Sequence, residues 1–156
     1  MSIAGCQSYQ WGEAGSTGEM RVYLHPVVND SYAPQAATLL ERELRTALVR
    51  DGGARLISER RRADAELEVI IEAYEEAFVS GRDDDTGRPA SLSLDMTVQA
   101  RWYRDGEEES IRFTESVPIY GDPSIRDGAT MAFPQLAQKI SRRIRDTLLH
   151  PWEIEP

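Results

Sequence analysis

This sequence predicts an α/β fold of the α+β sandwich kind: two helices packed on one face of a mixed four-stranded sheet, in the order β-α-β-β-β-α, with one further short strand allowed for. Three observations predict it. The stretch from Met20 to Glu59 reads as strand, helix, strand; two long segments after it alternate apolar and polar residues; and a second amphipathic helix closes the chain.

The first strand is Arg21-Val22-Tyr23-Leu24-His25-Pro26-Val27-Val28, β-branched and aromatic, stopped by the turn-forming Asn29-Asp30-Ser31. From Pro34 the period becomes helical. Ala36, Leu40, Leu44, Ala47 and Leu48 share one face, and Glu41, Arg42, Glu43, Arg45 and Arg50 fall largely on the other. Pro34 suits the first helical turn, and Gly52-Gly53 suits a left-handed stop. A helix of about 17 residues covers roughly 25 Å, enough to return the chain so that a second short strand at Leu56-Ile57 pairs parallel to the first.

Arg60-Arg61-Arg62 then makes a turn, read either as an anion patch or as a solvated corner. From Ala65 to Phe78, Leu67, Val69, Ile71 and Ala73 point one way and Glu66, Glu68 and Glu72 the other, with Ile70 and Tyr74 as exceptions. Ser80 to Pro89 is a polar connection. Its Asp83-Asp84-Asp85 lacks the spaced ligands and closing glutamate of a calcium loop and reads as a solvated hairpin tip. Leu92, Leu94, Met96, Val98, Ala100 and Trp102 alternate in the next strand, and Asp105-Gly106 is a two-residue hairpin signal that Glu107-Glu108-Glu109 would widen. Ile111, Phe113, Glu115 and Val117 give the following strand an interrupted apolar face, and Pro118 marks an edge position or the strand's end. The last helix is expected from about Phe133, with Pro134 in its first turn and Leu136, Ala137, Ile140, Ile144 and Leu148 as its apolar stripe.

At 156 residues and a formal charge of -9, the chain is one domain's worth of sequence without the positive field a general nucleic-acid binder needs. No run of about 20 apolar residues is long enough to cross a bilayer as a helix. Of the 18 cationic residues only Lys139 is a lysine, and arginine suits bidentate recognition of phosphate or carboxylate. No nucleophile-base pair can be assembled, since Cys6, His25 and His150 lie in unrelated elements. Gly-rich phosphate loops and paired-cysteine or helical histidine metal motifs are lacking as well.

The single cysteine follows Ile3-Ala4-Gly5, which looks like the cleavage box of a bacterial lipoprotein signal, where the Cys6 thiol takes a diacylglycerol. The basic and apolar stretch of an export signal is expected upstream of it. The other reading is a frayed terminus with an unpaired thiol. Gly12, Gly15, Ser16, Thr17 and Gly18 would make a flexible tether behind an anchor.

Taken together, these features resemble the lipopolysaccharide-assembly lipoprotein family, LptE. The resemblance rests on Ala4-Gly5-Cys6 followed by Tyr9-Gln10-Trp11-Gly12, on the strand and helix from Val22 to Leu48, and on Arg55-Leu56-Ile57-Ser58-Glu59. It continues through Leu94-Asp95-Met96-Thr97-Val98-Gln99-Ala100, Phe113-Thr114-Glu115-Ser116-Val117 and the closing helix. It spans nearly the whole chain, and element order carries it.

The resemblance implies residues 1–18 as lipobox remnant and tether, 19–150 as one LptE-like domain and 151–156 as a tail. It implies a non-enzymatic protein without cofactor or metal, held by lipid on Cys6 at the periplasmic face of the outer membrane. The protein would plug an LptD-type β-barrel and assist lipopolysaccharide transport. Family members contact lipopolysaccharide through basic residues in the loop between the middle strands and in the loop before the last helix, positions held here by Arg82, Arg88 and Arg126. Asp83-Asp84-Asp85 departs from that pattern and opposes an anionic sugar. Two alternatives stay open: another periplasmic lipoprotein adaptor, resembling TolB amino-terminal or CsgG-like domains, and a hydrolase with an unrecognised carboxylate site.

Overall fold

Each long strand of this chain is apolar on one face, and that face has to be covered. In the computed structural model, which describes residues 19–33, 35–50, 53–79, 91–119 and 127–149, two helices cover it. The elements are β1 (Met20–Leu24), β2 (Val28–Asn29), α1 (Ala36–Val49), β3 (Ala54–Leu56), a 3-10 turn at Arg60–Arg62, β4 (Ala65–Val79), β5 (Ser91–Arg104), β6 (Glu107–Ile119) and α2 (Asp127–Leu149). The sheet has six strands, ordered β3-β1-β4-β5-β6, with β2 also on β4. β1 runs parallel to β3 and β4, the expected strand-helix-strand return, whereas β4, β5 and β6 form an antiparallel meander.

The four strands and the further short one therefore become six, and the reason for the sixth lies at Pro26. The expected first strand is two: β1 pairs Leu24 with Leu67, and β2 resumes at Val28 opposite Ile70. Pro26 has no N–H for the ladder, so the chain slips there by one residue relative to β4. The expected Leu56-Ile57 strand is β3, which begins two residues earlier, at Ala54, and ends at Leu56.

β4 also departs from strict alternation. The register shifts between Ile71 and Ala73, leaving Glu72 as the extra residue of a bulge. Beyond it Ala73 faces outward opposite Thr97, and Tyr74 turns to the helix side, where its ring meets Phe133 at 5.6 Å. Burial, reinforced by Glu76, pushes the Tyr74 phenol up to about 12. Ile70 stays on the outer face, opposite Gln99 and beside Val28 of β2.

The hairpin signal holds. Arg104 pairs with Glu107 across a two-residue turn in which Asp105 and Gly106 have φ of 54° and 84°, so the three glutamates belong to β6 and do not widen the turn. β6 is an edge strand and accommodates Pro118.

α1 buries the expected stripe of Ala36, Leu40, Leu44, Ala47 and Leu48. Gly53 does not act as a left-handed stop. A Cβ there would sit 2.5 Å from Leu149 Cδ1, so this glycine lets the end of α2 approach β3. α2 begins at Asp127, well before Phe133, and carries Pro134 in its interior. The proline forfeits one helical hydrogen bond; burial of Ala132, Phe133, Leu136 and Ala137 around it offsets that loss. The core of Leu67, Val69, Ile71, Leu94, Met96 and Val98 lies beneath Leu40, Leu44, Ile140 and Ile144. Ile140 is 0% exposed, and Ile140→Ala is expected to cost about 2–5 kcal/mol in denaturant unfolding.

Candidate functional site

Cys6, Arg82, Arg88 and Arg126 all lie outside the described residues. The strands fix where their segments attach. Val79 pairs with Ser91 and Leu92 with Ile119, so the 80–90 connection and the start of the 120–126 connection leave from one end of the sheet. Met20 pairs with Ala54, Ala65 with Arg104, and Leu149 reaches Gly53. The segment bearing Cys6 therefore joins the sheet at the opposite end. β4 spans 15 residues, which at about 3.3 Å per residue separates the two ends by roughly 45 Å.

The outer sheet face is polar and cross-linked. Arg112 Nε donates to Glu72 at 2.6 Å, and the Thr97 and Thr114 hydroxyls meet at 2.7 Å. His25 Nε2 lies 2.9 Å from Glu66 and 3.9 Å from Glu68, with the Tyr23 ring edge-on at 4.8 Å. Arg60 donates to Glu66 at 2.8 Å and holds that carboxyl below its ordinary value, with His25 assisting. Among the described residues no group of three or more His, Cys, Asp or Glu is arranged to hold a metal ion.

The three-arginine turn is a solvated corner. Arg60 is engaged by Glu66, Arg62 lies 3.6 Å from Glu59, and all three side chains are exposed. Beside it Arg21 grips Asp64 with Nη2 to Oδ1 at 2.6 Å and Nε to Oδ2 at 3.0 Å, while the Arg21 backbone N–H also donates to Oδ2 at 2.8 Å. These bonds hold the Asp64 carboxyl at about 2.

The helix layer carries the opposite balance to the chain. Arg42, Arg45, Arg50, Lys139, Arg142, Arg143 and Arg145 outnumber the acidic residues of the two helices, Glu41, Glu43, Asp127 and Asp146. Glu115, the interruption in the apolar face of β6, reaches up to this layer: Arg143 donates to it at 2.9 Å and Lys139 lies at 3.8 Å. Arg143 also stacks 4.3 Å over the Phe113 ring, and Lys139 Nζ donates to the Ser116 carbonyl at 2.9 Å.

Between α1 and α2 lies a crevice of about 170 Å³ lined by Glu43, Thr46, Arg50, Gln138, Ser141 and Arg142. Thr46 and Thr147 return their hydroxyls to the carbonyls four residues back, at 3.0 and 2.9 Å. Ser141, 1% exposed, has no hydrogen-bond partner for its Oγ. The sequence contained the signal: Ser141 stands among Ala137, Ile140 and Ile144 on the apolar stripe, where a hydroxyl needs a partner. That it lines one crevice with Arg50 is a tertiary matter that spacing does not reveal.

A two-layer α+β module with polar outer surfaces on both layers is the class these features define. The chain belongs to the LptE, lipopolysaccharide-assembly family, whose model matches residues 20–149. This is a non-enzymatic lipoprotein family of the bacterial envelope.

Solved structures share the fold. A minor lipoprotein from Acinetobacter baumannii is 12% identical with a TM-score of 0.58, over 85% of this chain and 94% of that one. A protein from Xanthomonas campestris is 15% identical with a TM-score of 0.63, over 84% of each chain. A hypothetical protein from Chlamydia trachomatis is 11% identical with a TM-score of 0.52, over 83% of this chain and 96% of that one. A comparison with curated protein sequences finds no match.

Two outcomes follow from this geometry. Because Asp64 is depressed from 3.8 to about 2, its contribution to stability is present above 3.8 and is lost as pH falls through about 2. Asp64→Asn should remove that part of the acid limb in pH-dependent unfolding. Ser141→Ala should raise stability by about 1 kcal/mol, since it deletes a buried hydroxyl without a partner; thermal or denaturant melting measures it.

Proposed function

We propose that this chain is an outer-membrane lipoprotein that seats inside an LptD-type β-barrel, helps assemble it, and assists lipopolysaccharide transport to the cell surface. The match to the lipopolysaccharide-assembly family across residues 20–149 carries the reading. The surface supports it. Barrel lumens are polar, and a plug needs polar faces all round. Here the sheet's outer face presents Glu68, Glu72, Thr97, Gln99, Arg112 and Thr114, and the helix layer presents mainly arginine. Among the described residues the exposed large hydrophobics are scattered at Val28, Tyr32 and Val49.

The long axis supports a division of labour. The segment carrying Cys6 joins one end of the sheet, and the connections bearing Arg82, Arg88 and Arg126 leave from the other. In this proposal a diacylglycerol on Cys6 holds the first end at the periplasmic face of the outer membrane, and the three arginines contact lipopolysaccharide phosphates at the second. Stable anchoring needs more than one acyl chain, as a lipidated cysteine supplies.

Detergent pull-down of the tagged, full-length protein from its own envelope, followed by mass spectrometry, should recover a large outer-membrane barrel together with lipopolysaccharide. Recovery of neither, from cells that make such a barrel, would refute the plug. With the export signal in place, Cys6→Ala should move the protein from the membrane to the soluble fraction; unchanged membrane association would sink the anchor. Replacing Arg82, Arg88 and Arg126 together by alanine should leave barrel recovery unchanged and reduce co-purified lipopolysaccharide several-fold.

A further inference from the structure

We propose that the unpaired side of β4 beyond its bulge takes an added strand from the barrel partner, an extended segment carrying lysine or arginine laid beside Ala73–Val79. The inference rests on the barrel reading and adds a contact through which the sheet is held.

β4 outruns its neighbours on one side. β1 pairs with it from Ala65 to Leu67 and β2 at Ile70 and Ile71, whereas β5 follows it from Ala65 to Val79. From Ala73 onward the β2 side has no strand among the described residues. At about 3.3 Å per residue this bare stretch is roughly 23 Å long, the length of a full strand. Its backbone groups can be assigned, because successive strand residues point them to opposite sides. The Leu67 and Ile71 carbonyls accept from the His25 and Asp30 N–H groups at 3.0 and 2.9 Å, and the bulge at Glu72 then shifts the phase by one residue. Tyr74 and Glu76 therefore turn N–H and C=O to the bare side, while Ala73, Glu75 and Ala77 turn theirs to β5.

The other edges are guarded. β3 has three residues, and β6 carries Pro118 and lends its Ser116 carbonyl to Lys139. Between Ala73 and Val79 there is neither lysine nor proline.

Charge selects the occupant. Glu41, Glu66, Glu72 and Glu115 each hold an arginine. Glu75 and Glu76 are exposed and have no cation partner among the described residues. Alternation puts Glu75 on the outer face and Glu76 on the helix face, where it accepts from the Tyr74 hydroxyl at 3.3 Å. Two copies meeting along this stretch would set glutamates against glutamates, and like charges across a ladder destabilise it. The terminal segments of the chain bring no cationic side chain: residues 1–18 hold Glu13 as their one charged side chain, and 151–156 hold Glu153 and Glu155. An extended cationic segment of another protein supplies both the backbone partners and the opposite charge. The strands of a closed barrel are already paired with one another, so the segment belongs to a loop or terminus of the barrel partner.

The test co-expresses the full-length tagged chain with its own LptD-type barrel and compares barrel recovery from detergent extracts. Glu76→Pro deletes an N–H that points to the bare side and spares the β5 ladder, so it should lower recovery about tenfold with little change in melting temperature. Glu75→Lys combined with Glu76→Lys should lower recovery at least as far, and it decides the matter if the proline variant fails to fold. In the wild-type complex the Tyr74 and Glu76 amides should exchange with deuterium at least tenfold more slowly than in the chain alone, which a contact through side chains only would not produce. A photo-crosslinker at Ala77 should attach to a barrel peptide containing lysine or arginine. Unchanged exchange at these amides, wild-type recovery by the double lysine variant, or a crosslink within the chain, to a second copy or to lipopolysaccharide would each overturn the added strand and leave the plug standing. A wild-type chain that recovers no barrel would overturn both.

Discussion

β4 is the constraint on which the molecule depends. It pairs in parallel with β1 and β2 on one side and antiparallel with β5 on the other. One strand thereby joins the strand-helix-strand unit to the meander. Its inward residues Leu67, Val69 and Ile71 lie within the core, and burying such a row is a main stabilising contribution in a chain whose single cysteine allows no internal disulfide. The bulge at Glu72 lets one strand serve two neighbourhoods. Before it, β4 lies under both helices; after it, the changed phase gives Tyr74 to the start of α2 and Phe133.

The charges follow a different logic from the core. Pairs such as Arg45–Glu41 and Arg112–Glu72 are partly exposed, and each contributes little to stability. Their effect is spatial, because they occupy most of the arginines and leave a few unengaged. The acidic chain thus keeps a cationic helix layer, with Glu115 drawn up from the sheet to fasten α2 over the edge of β6.

The legible parts of the fold were those set by neighbours in sequence. The spacing of Leu40, Leu44 and Leu48 defines a helix face locally, and Asp105-Gly106 defines its turn through the backbone freedom of two residues. The illegible parts depend on distant partners. β2 is recognisable only from its pairing with Ile70 and Ile71, and Pro134 reads as a helix start unless the packing around Phe133 is known. Alternation on either side of Glu72 looks continuous because a bulge changes phase without changing composition. Cys6, Arg82, Arg88 and Arg126 are proposed from element order and family likeness, which assign them to segments and say nothing of their contacts. The crevice showed only one residue to the sequence, Ser141 on an apolar stripe.

The Lys139 bond to the Ser116 carbonyl has a consequence for self-assembly. β6 is the long strand that ends the described sheet, and such an edge templates the addition of another strand. A helix-borne ammonium occupies one of its acceptors, and Pro118 supplies no donor two residues further on. Two copies that met along β6 would have to break the first contact and could not complete the ladder at the second. Growth of the sheet from copy to copy along this stretch of β6 is thus disfavoured.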